Sequence, residues 1–227
     1  MEYLSKRILQ KPNALSIENV QTDESYITEA NDLFYREDQT SMSRWVSWTM
    51  GLILILCSLI GLKLPTGKLM FMVVFIIPGI ISIIYGFFTP KKHLTMDRLN
   101  NKITVPREYK SSIIILFETG LGVIKYRNTS PGIIGGYLVL QSSKKKPRVE
   151  GELSISHNEN SNYWAFTVWY MDKNRPLPPG TAFDPYRQKD FERRKAEGFP
   201  IPLYDASIET PEATPEQQAE RLMIGGW

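Results

Sequence analysis

Two long apolar stretches, residues 45–62 and 69–88, dominate the pattern of hydrophobic and polar positions along the chain. Neither contains an ionisable Asp, Glu, Lys, Arg or His, and each has roughly the 18–20 residues that a helix needs to cross a bilayer core. Only residues 63–68 separate them, which is enough for a turn and too little for a domain. The pattern therefore predicts a membrane α-helical hairpin of two transmembrane helices.

The basic residues around this hairpin predict its orientation, because Lys and Arg are favoured on the cytoplasmic side of a membrane. The connecting turn has two, Lys63 and Lys68, whereas the outer flanks have seven. These seven are Arg36, Arg44, Lys91, Lys92, Arg98, Lys102 and Arg107. We therefore predict a multi-pass protein of the bacterial cytoplasmic (inner) membrane with both termini in the cytoplasm.

The two apolar stretches lack the ionisable groups that normally mark an ion pathway or a proton relay. A simple two-helix anchor is therefore favoured over a role in forming a pore. Trp45 and Trp48 stand at the predicted cytoplasmic edge of the first stretch, where aromatic belts form. Pro78 and Gly79 interrupt the second stretch and would let a neighbouring helix approach its backbone. These four residues are the predicted intramembrane contacts with a partner.

Short strands are predicted in the polar region that follows. Residues 94–99 and 102–105 form a hairpin around Asn100-Asn101, since Asn tolerates left-handed backbone angles, and Pro106 is expected to end this ladder. Further predicted strands are 113–117, 137–140, the edge strand around 153–155, and 163–171. In the last of these, Trp164, Phe166, Val168 and Tyr170 would share one face, with Ala165, Thr167 and Trp169 on the other.

The hairpin 96–107 and the strand end Phe117-Glu118 resemble the small β-barrel of bacterial pleckstrin-homology-like (PH-like) domains that follow a two-helix membrane anchor. This resemblance implies an α+β cytoplasmic domain, a small PH-like barrel with C-terminal helices. The expected organisation is a polar N-terminal arm (1–43), the transmembrane hairpin (44–89), the PH-like domain (90–183) and a helical, proline-rich tail (184–227). Residues 89–227 are expected to fold without the anchor.

The tail begins with the proline-rich segment 175–180, which is either a stiff linker or a P-x-x-P recognition motif. Asp184-Pro185 predicts a helix that stops at Gly198, with Asp190 and Arg194 paired on a solvated face. Thr214 to Gln217 has the spacing of a capping box, so a second helix is predicted there, ending at Gly225-Gly226. The segment from Phe183 to Trp227 resembles the ending of bacterial inner-membrane proteins encoded near type VI secretion effectors.

Charge and motif content exclude several function classes. The chain has 27 Lys and Arg against 24 Asp and Glu, which is too weak an excess to predict nucleic-acid binding. Its single cysteine, Cys57, cannot form an internal disulfide. His93 and His157 lack neighbouring ligands for a metal, and no nucleotide-binding or hydrolase motif is present. No enzyme activity and no cofactor are therefore predicted.

A basic cluster remains as a candidate contact with the membrane surface. It comprises Lys144, Lys145, Lys146 and Arg148 in a loop between predicted strands, together with Lys91 and Lys92 beside the second apolar stretch. Each base near an anionic leaflet contributes about 1 kcal/mol. The alternative is a solvated loop tip without a lipid partner.

These observations predict a protein that binds rather than catalyses. The leading hypothesis is an inner-membrane immunity protein that neutralises a membrane-active secreted toxin by binding it, as the resemblance of the tail implies, and whether that toxin forms a pore is left open. The alternative is a membrane-anchored scaffold or a lipid-sensing PH-like module. The expected partners are membrane lipids and a toxin protein, and association of several copies of the chain is left open.

Overall fold

The computed structural model describes residues 2–20, 26–60, 68–88, 92–107, 110–130, 133–142, 150–154 and 160–227. Its helices are α1 (Thr40–Ile60), α2 (Lys68–Phe88), α3 (Asn160–Met171), α4 (Asp184–Ala196) and α5 (Pro215–Gly225). Its strands are β1 (Glu2–Leu4), β2 (Arg7–Ile8), β3 (Ile27–Ala30), β4 (Phe34–Asp38), β5 (His93–Asp97), β6 (Lys102–Arg107), β7 (Lys110–Leu116), β8 (Gly120–Ser130), β9 (Ile133–Ser142), β10 (Glu150–Ser154) and β11 (Asp205–Ala206). The chain divides into two compact units. One, the helix pair, spans Asp38–His93; the other, the folded unit, combines the residues before Asp38 with Leu94–Trp227.

Helices α1 and α2 pack closely against each other within the helix pair. A Cβ added at Gly51 would lie 2.8 Å from the carbonyl oxygen of Gly79, so only small residues fit at this crossing. The Ser82 hydroxyl donates a hydrogen bond to the Ser47 carbonyl across the interface, at 2.8 Å. Away from this interface most apolar side chains of both helices are exposed.

The predicted hairpin of two transmembrane helices is wrong. Among the described residues, only the helix Leu69–Phe88 is long and apolar enough to cross a membrane. The apolar part of α1 is Arg44–Ile60, which is shorter. Residues 61 and 62, which complete the predicted first span, lie outside the described residues. By length and composition, the described residues therefore contain one helix that could span a membrane.

The folded unit contains two antiparallel sheets. The first has the strand order β1-β8-β9-β10, and the second has the order β3-β4-β5-β6-β7. A short parallel pair, β2 with β11, joins the N-terminal region to the C-terminal tail. The residues before Asp38 thus supply strands to every sheet, which the polar composition of this segment did not predict. The predicted PH-like barrel is wrong, because these strands build two separate sheets.

The hairpin predicted from Asn100-Asn101 is confirmed. Strands β5 and β6 pair antiparallel with Thr95 opposite Thr104, and Asn101 adopts a left-handed φ of 56°. Pro106 does not end the ladder, since it lies within β6 at an irregularity between Val105 and Arg107. The predicted strands at 113–117, 137–140 and 153–155 correspond to β7, β9 and the edge strand β10.

The strand predicted at residues 163–171 is wrong, because this segment is helix α3. All residues from Trp164 to Met171 are buried, so the helix is enclosed by protein on every side. A helix with this environment needs no polar face, and its short apolar run cannot be distinguished from a strand by periodicity. The alternation of large residues was therefore coincidental.

The core forms where the two sheets face each other and where α3 packs on them. A Cβ added at Gly151 in β10 would lie 2.6 Å from Val105 in β6, which measures how closely the sheets approach. Similarly, a Cβ at Gly122 in β8 would lie 2.6 Å from the Trp164 ring of α3. Helix α3 then leads into the proline-rich segment and α4, which form the region that holds the candidate site.

Both predicted C-terminal helices are confirmed as α4 and α5. The Thr214 hydroxyl accepts a hydrogen bond from the Gln217 amide at 3.3 Å, and Gly226 ends α5 with a φ of 71°. In the proline-rich segment, Pro176, Leu177 and Pro178 are buried. The segment is therefore a stiff linker packed into the fold, and the P-x-x-P recognition motif is wrong, since a partner cannot reach buried prolines.

Candidate binding cleft

The structure places the predicted site residues in different environments. Trp45 is 69% exposed on α1, whereas Trp48 packs against Phe87 with 5.1 Å between the ring centroids. Pro78 lies within α2, and Gly79 lies at the crossing with α1. Of the basic cluster, Lys92 is partly buried, and the remaining members lie outside the described residues. Those members are Lys91, Lys144, Lys145, Lys146 and Arg148.

A buried network of charged side chains supports the C-terminal part of the folded unit. Asp190 of α4 is paired with Arg98 from the β5–β6 turn and with Arg194 one helical turn later. Arg194 in turn holds Glu212 through two parallel hydrogen bonds of 2.8 and 2.7 Å. Asp190 and Arg194 are each 1% exposed, so the predicted solvated face is wrong. The i,i+4 spacing of Asp190 and Arg194 predicted that they pair, but the spacing alone does not show whether the pair is solvated or buried.

A second buried pair anchors the tail after α4. The Asp172 carboxylate accepts hydrogen bonds from the backbone amides of Leu203 and Tyr204, at 3.0 and 3.2 Å. It also pairs with Arg175, whose guanidinium donates to the Tyr204 carbonyl and to the Thr210 hydroxyl. These bonds fix the path of the segment that leads from α4 to α5.

Burial and the neighbouring arginines shift the pKa values of the acids in this network in opposite directions. Burial tends to raise the pKa of Asp190, but Arg98, Arg194 and Arg193 outweigh it, and the pKa lies below its ordinary value. Burial raises the pKa of Asp172 despite its hydrogen bonds and the nearby Arg175. The ionised form of Asp190 is thus the one that the surrounding arginines stabilise.

A cleft of about 780 Å³ lies beside this network. Trp169 and Leu177 are part of its lining and are nearly fully buried, which gives it an apolar floor. One wall is formed by the end of the proline-rich segment and the first turns of α4, and the other by residues 209–214 with Gln217 of α5. Its size is within the range of ligand pockets in proteins.

Arg187 fixes the first wall of the cleft. Its guanidinium donates to the Asp184 carboxylate at 2.8 Å and to the carbonyls of Leu177 and Pro178 at 3.0 and 2.8 Å. The two walls are joined by a hydrogen bond of 2.7 Å from the Gln217 side chain to the Gln188 side chain. These contacts fix the two walls relative to each other before any ligand arrives, which lowers the ordering cost of binding.

Two charged side chains on the lining have no hydrogen-bond or ion-pair partner among the described residues. They are Lys11 and Glu209, and both are exposed. The other lining charges, Asp184, Arg187 and Glu212, are already paired. Within the described residues, no group of His, Cys, Asp or Glu is arranged to hold a metal ion. The lining therefore favours a ligand that contacts both its apolar floor and these two side chains of opposite charge.

Sequence reasoning missed this cleft, because its lining comes from four separated segments of the chain. The only signals were the proline-rich segment and the capped start of α5, which define its walls but not their proximity. A comparison of the chain with protein-family models, curated proteins and solved structures finds no match.

Proposed function

We propose that this chain is a membrane-attached binding protein that acts by occupying a partner rather than by catalysis. The observation that carries the proposal is the exposure of α2. Only 11% of its apolar window is buried within the molecule, and Leu69 and Phe88 at its ends are 78% and 81% exposed. A core helix of a water-soluble protein would be mostly buried, and so large an exposed apolar surface marks a contact with lipid or protein.

Both flanks of the helix pair belong to the folded unit, because strands from before α1 and from after α2 join in the same sheets. The exposed apolar helix α2 and the folded unit are therefore parts of one chain that can attach to a bilayer and bind a partner.

Binding is favoured over turnover by the character of the cleft. Charged side chains of its lining are already joined in ion pairs, Arg187 with Asp184 and Glu212 with Arg194, and these pairs order the lining. The specific form of the proposal is immunity: the cell is protected when the protein occupies a membrane-active toxin. Attachment to the bilayer would raise the effective concentration of the binder where such a toxin acts.

The test compares cells with and without the gene while they are attacked by siblings that deliver toxins by contact. The readout is membrane potential, followed by survival. We expect depolarisation in cells that lack the gene and protection that rises with the amount of protein. A matched control is the chain without residues 39–92, which keeps the folded unit and should not protect. Equal polarisation and survival with and without the gene would contradict the immunity role.

A further inference from the structure

The segment from Ile201 to Ala213 has side chains of alternating exposure, and its residues from Glu209 onwards line the cleft. Every second residue is exposed along its whole length, and the residues between them are partly or fully buried. Among the described residues, only Asp205 and Ala206 of this segment pair with another strand, β2. The remainder is irregular and bends at residues 203–204, 207–208 and 213, so a row of exposed side chains faces the cleft without belonging to a sheet.

The part of this segment at the cleft is held from its buried side alone. Thr210 contacts Arg175 through its hydroxyl and Arg221 through its carbonyl, whereas Glu212 contacts Arg194 and Arg221. The intervening residues Glu209, Pro211 and Ala213 are exposed and line the cleft. Neither Glu209 nor Pro211 forms a backbone hydrogen bond within the described part of the chain. The exposed side chains of Glu209, Pro211 and Ala213 are therefore available to a ligand, and the buried side chains of Thr210 and Glu212 hold the segment in place.

We propose that the cleft binds an extended peptide segment of a partner protein, with a Lys or Arg side chain opposite Glu209. This inference rests on the proposed binding function and assigns it a surface and a ligand class. The bound segment lies along residues 209–213, where the apolar floor and the charged side chains of the lining supply the contacts.

The chemistry of the lining selects the ligand. Glu209 pairs with no cation among the described residues, and the Asp184 side chain is 59% exposed although one of its oxygens accepts from Arg187. Both favour a basic side chain. Pro211 and Ala213 are small and leave room for alternate side chains of the ligand. Lys11 on the same lining provides a cation for an acidic group elsewhere on the ligand, so a mixed-charge segment fits better than a uniformly basic one.

The experiment uses the full chain in lipid nanodiscs and a phage-displayed library of random dodecapeptides as the probe. Enriched peptides are synthesised, and their dissociation constants are measured by fluorescence anisotropy. Ala213→Trp fills the cleft, and Ala219→Trp is its matched control, because Ala219 is exposed on α5 and is not part of the lining. Glu209→Lys reverses the unpaired charge and leaves the space unchanged.

We expect enriched peptides to carry Lys or Arg and to bind the original chain and the Ala219→Trp variant equally. Binding should weaken at least tenfold in Ala213→Trp, and the Glu209→Lys variant should instead enrich peptides with Asp or Glu. No enrichment, equal binding to Ala213→Trp, or unchanged charge preference in Glu209→Lys would overturn the inference. The membrane attachment is measured separately by fractionation, so its failure is distinguishable from failure of the cleft.

Discussion

At the residue scale, Glu37 is a buried carboxyl whose hydrogen-bond partners among the described residues are two tyrosines. It is 4% exposed near the end of β4, and one of its oxygens accepts hydrogen bonds from the hydroxyls of Tyr35 and Tyr163, at 2.8 and 2.9 Å. Burial raises the pKa of Glu37 to about 7, although the two hydrogen bonds oppose the shift. The protonation of this side chain therefore changes in the neutral range.

Glu37→Gln should remove a pH dependence of stability. The pKa of Glu37 in the folded protein lies above the ordinary value of 4.5, so the folded state holds the proton more tightly. The free energy of unfolding should therefore fall as the pH rises from 4.5 to 7, by roughly 3 kcal/mol, and stay level above that. Urea unfolding at several pH values measures the slope. The exposed Glu18→Gln variant should keep it, and an unchanged slope in Glu37→Gln would contradict this assignment.

The arginines of α4 allow a second comparison at the same scale. Arg194→Met should lower the free energy of unfolding by about 3 kcal/mol or more, because it leaves Glu212 and Asp190 buried with fewer cations. Arg193→Met is the control, since Arg193 is 21% exposed and its buried partner Asp190 keeps the cations Arg98 and Arg194. Its cost should stay below about 1 kcal/mol. Chemical denaturation of both variants measures the two losses of unfolding free energy. Equal losses would contradict the expectation that the buried position of Arg194 makes its ion pairs costlier to break.

Among the helices and strands, the sequence best predicted those whose turns and caps are determined by local residues. The β5–β6 hairpin follows from Asn101, and α5 from Thr214 and Gly226, because these residues specify turns and caps without help from the rest of the chain. Helix α3 was missed because its surroundings, not its own pattern, decide its conformation. The cleft was missed for the same reason, since proximity of its walls depends on the network around Asp190 and Asp172.

Thr214→Ala tests the start of α5 as an element. The hydroxyl of Thr214 accepts from the Gln217 amide, which otherwise lacks a partner in the first helical turn. Its loss should cost about 1 kcal/mol of unfolding free energy. Thr214→Ser keeps the acceptor and should restore most of that stability. A cost for serine as large as that for alanine would show that the methyl group, rather than the cap, stabilises this end.

At the scale of the whole molecule, the helix pair is an insertion between two neighbouring strands. Strand β4 precedes α1, β5 follows α2, and the two strands are adjacent in one sheet. Where the insertion begins and ends, the Gln39 amide donates to the Lys92 carbonyl at 2.8 Å. The sequence alone suggested a boundary that leaves residues 89–227 as the domain, but the first 37 residues belong to the same compact unit. We therefore no longer expect residues 89–227 to fold by themselves.

Replacing residues 39–92 with an Asn-Gly turn should yield a folded protein that no longer binds membranes. A two-residue turn can connect adjacent antiparallel strands, and the variant retains every strand of the two sheets. We expect a single cooperative thermal transition and recovery in the soluble fraction, whereas the full chain stays with membranes after a carbonate wash. Residues 89–227 alone lack β1 to β4, expose the core that these strands cover, and should aggregate or melt without cooperativity. The interpretation fails if the turn variant remains with membranes, or if residues 89–227 melt as cooperatively as the turn variant does.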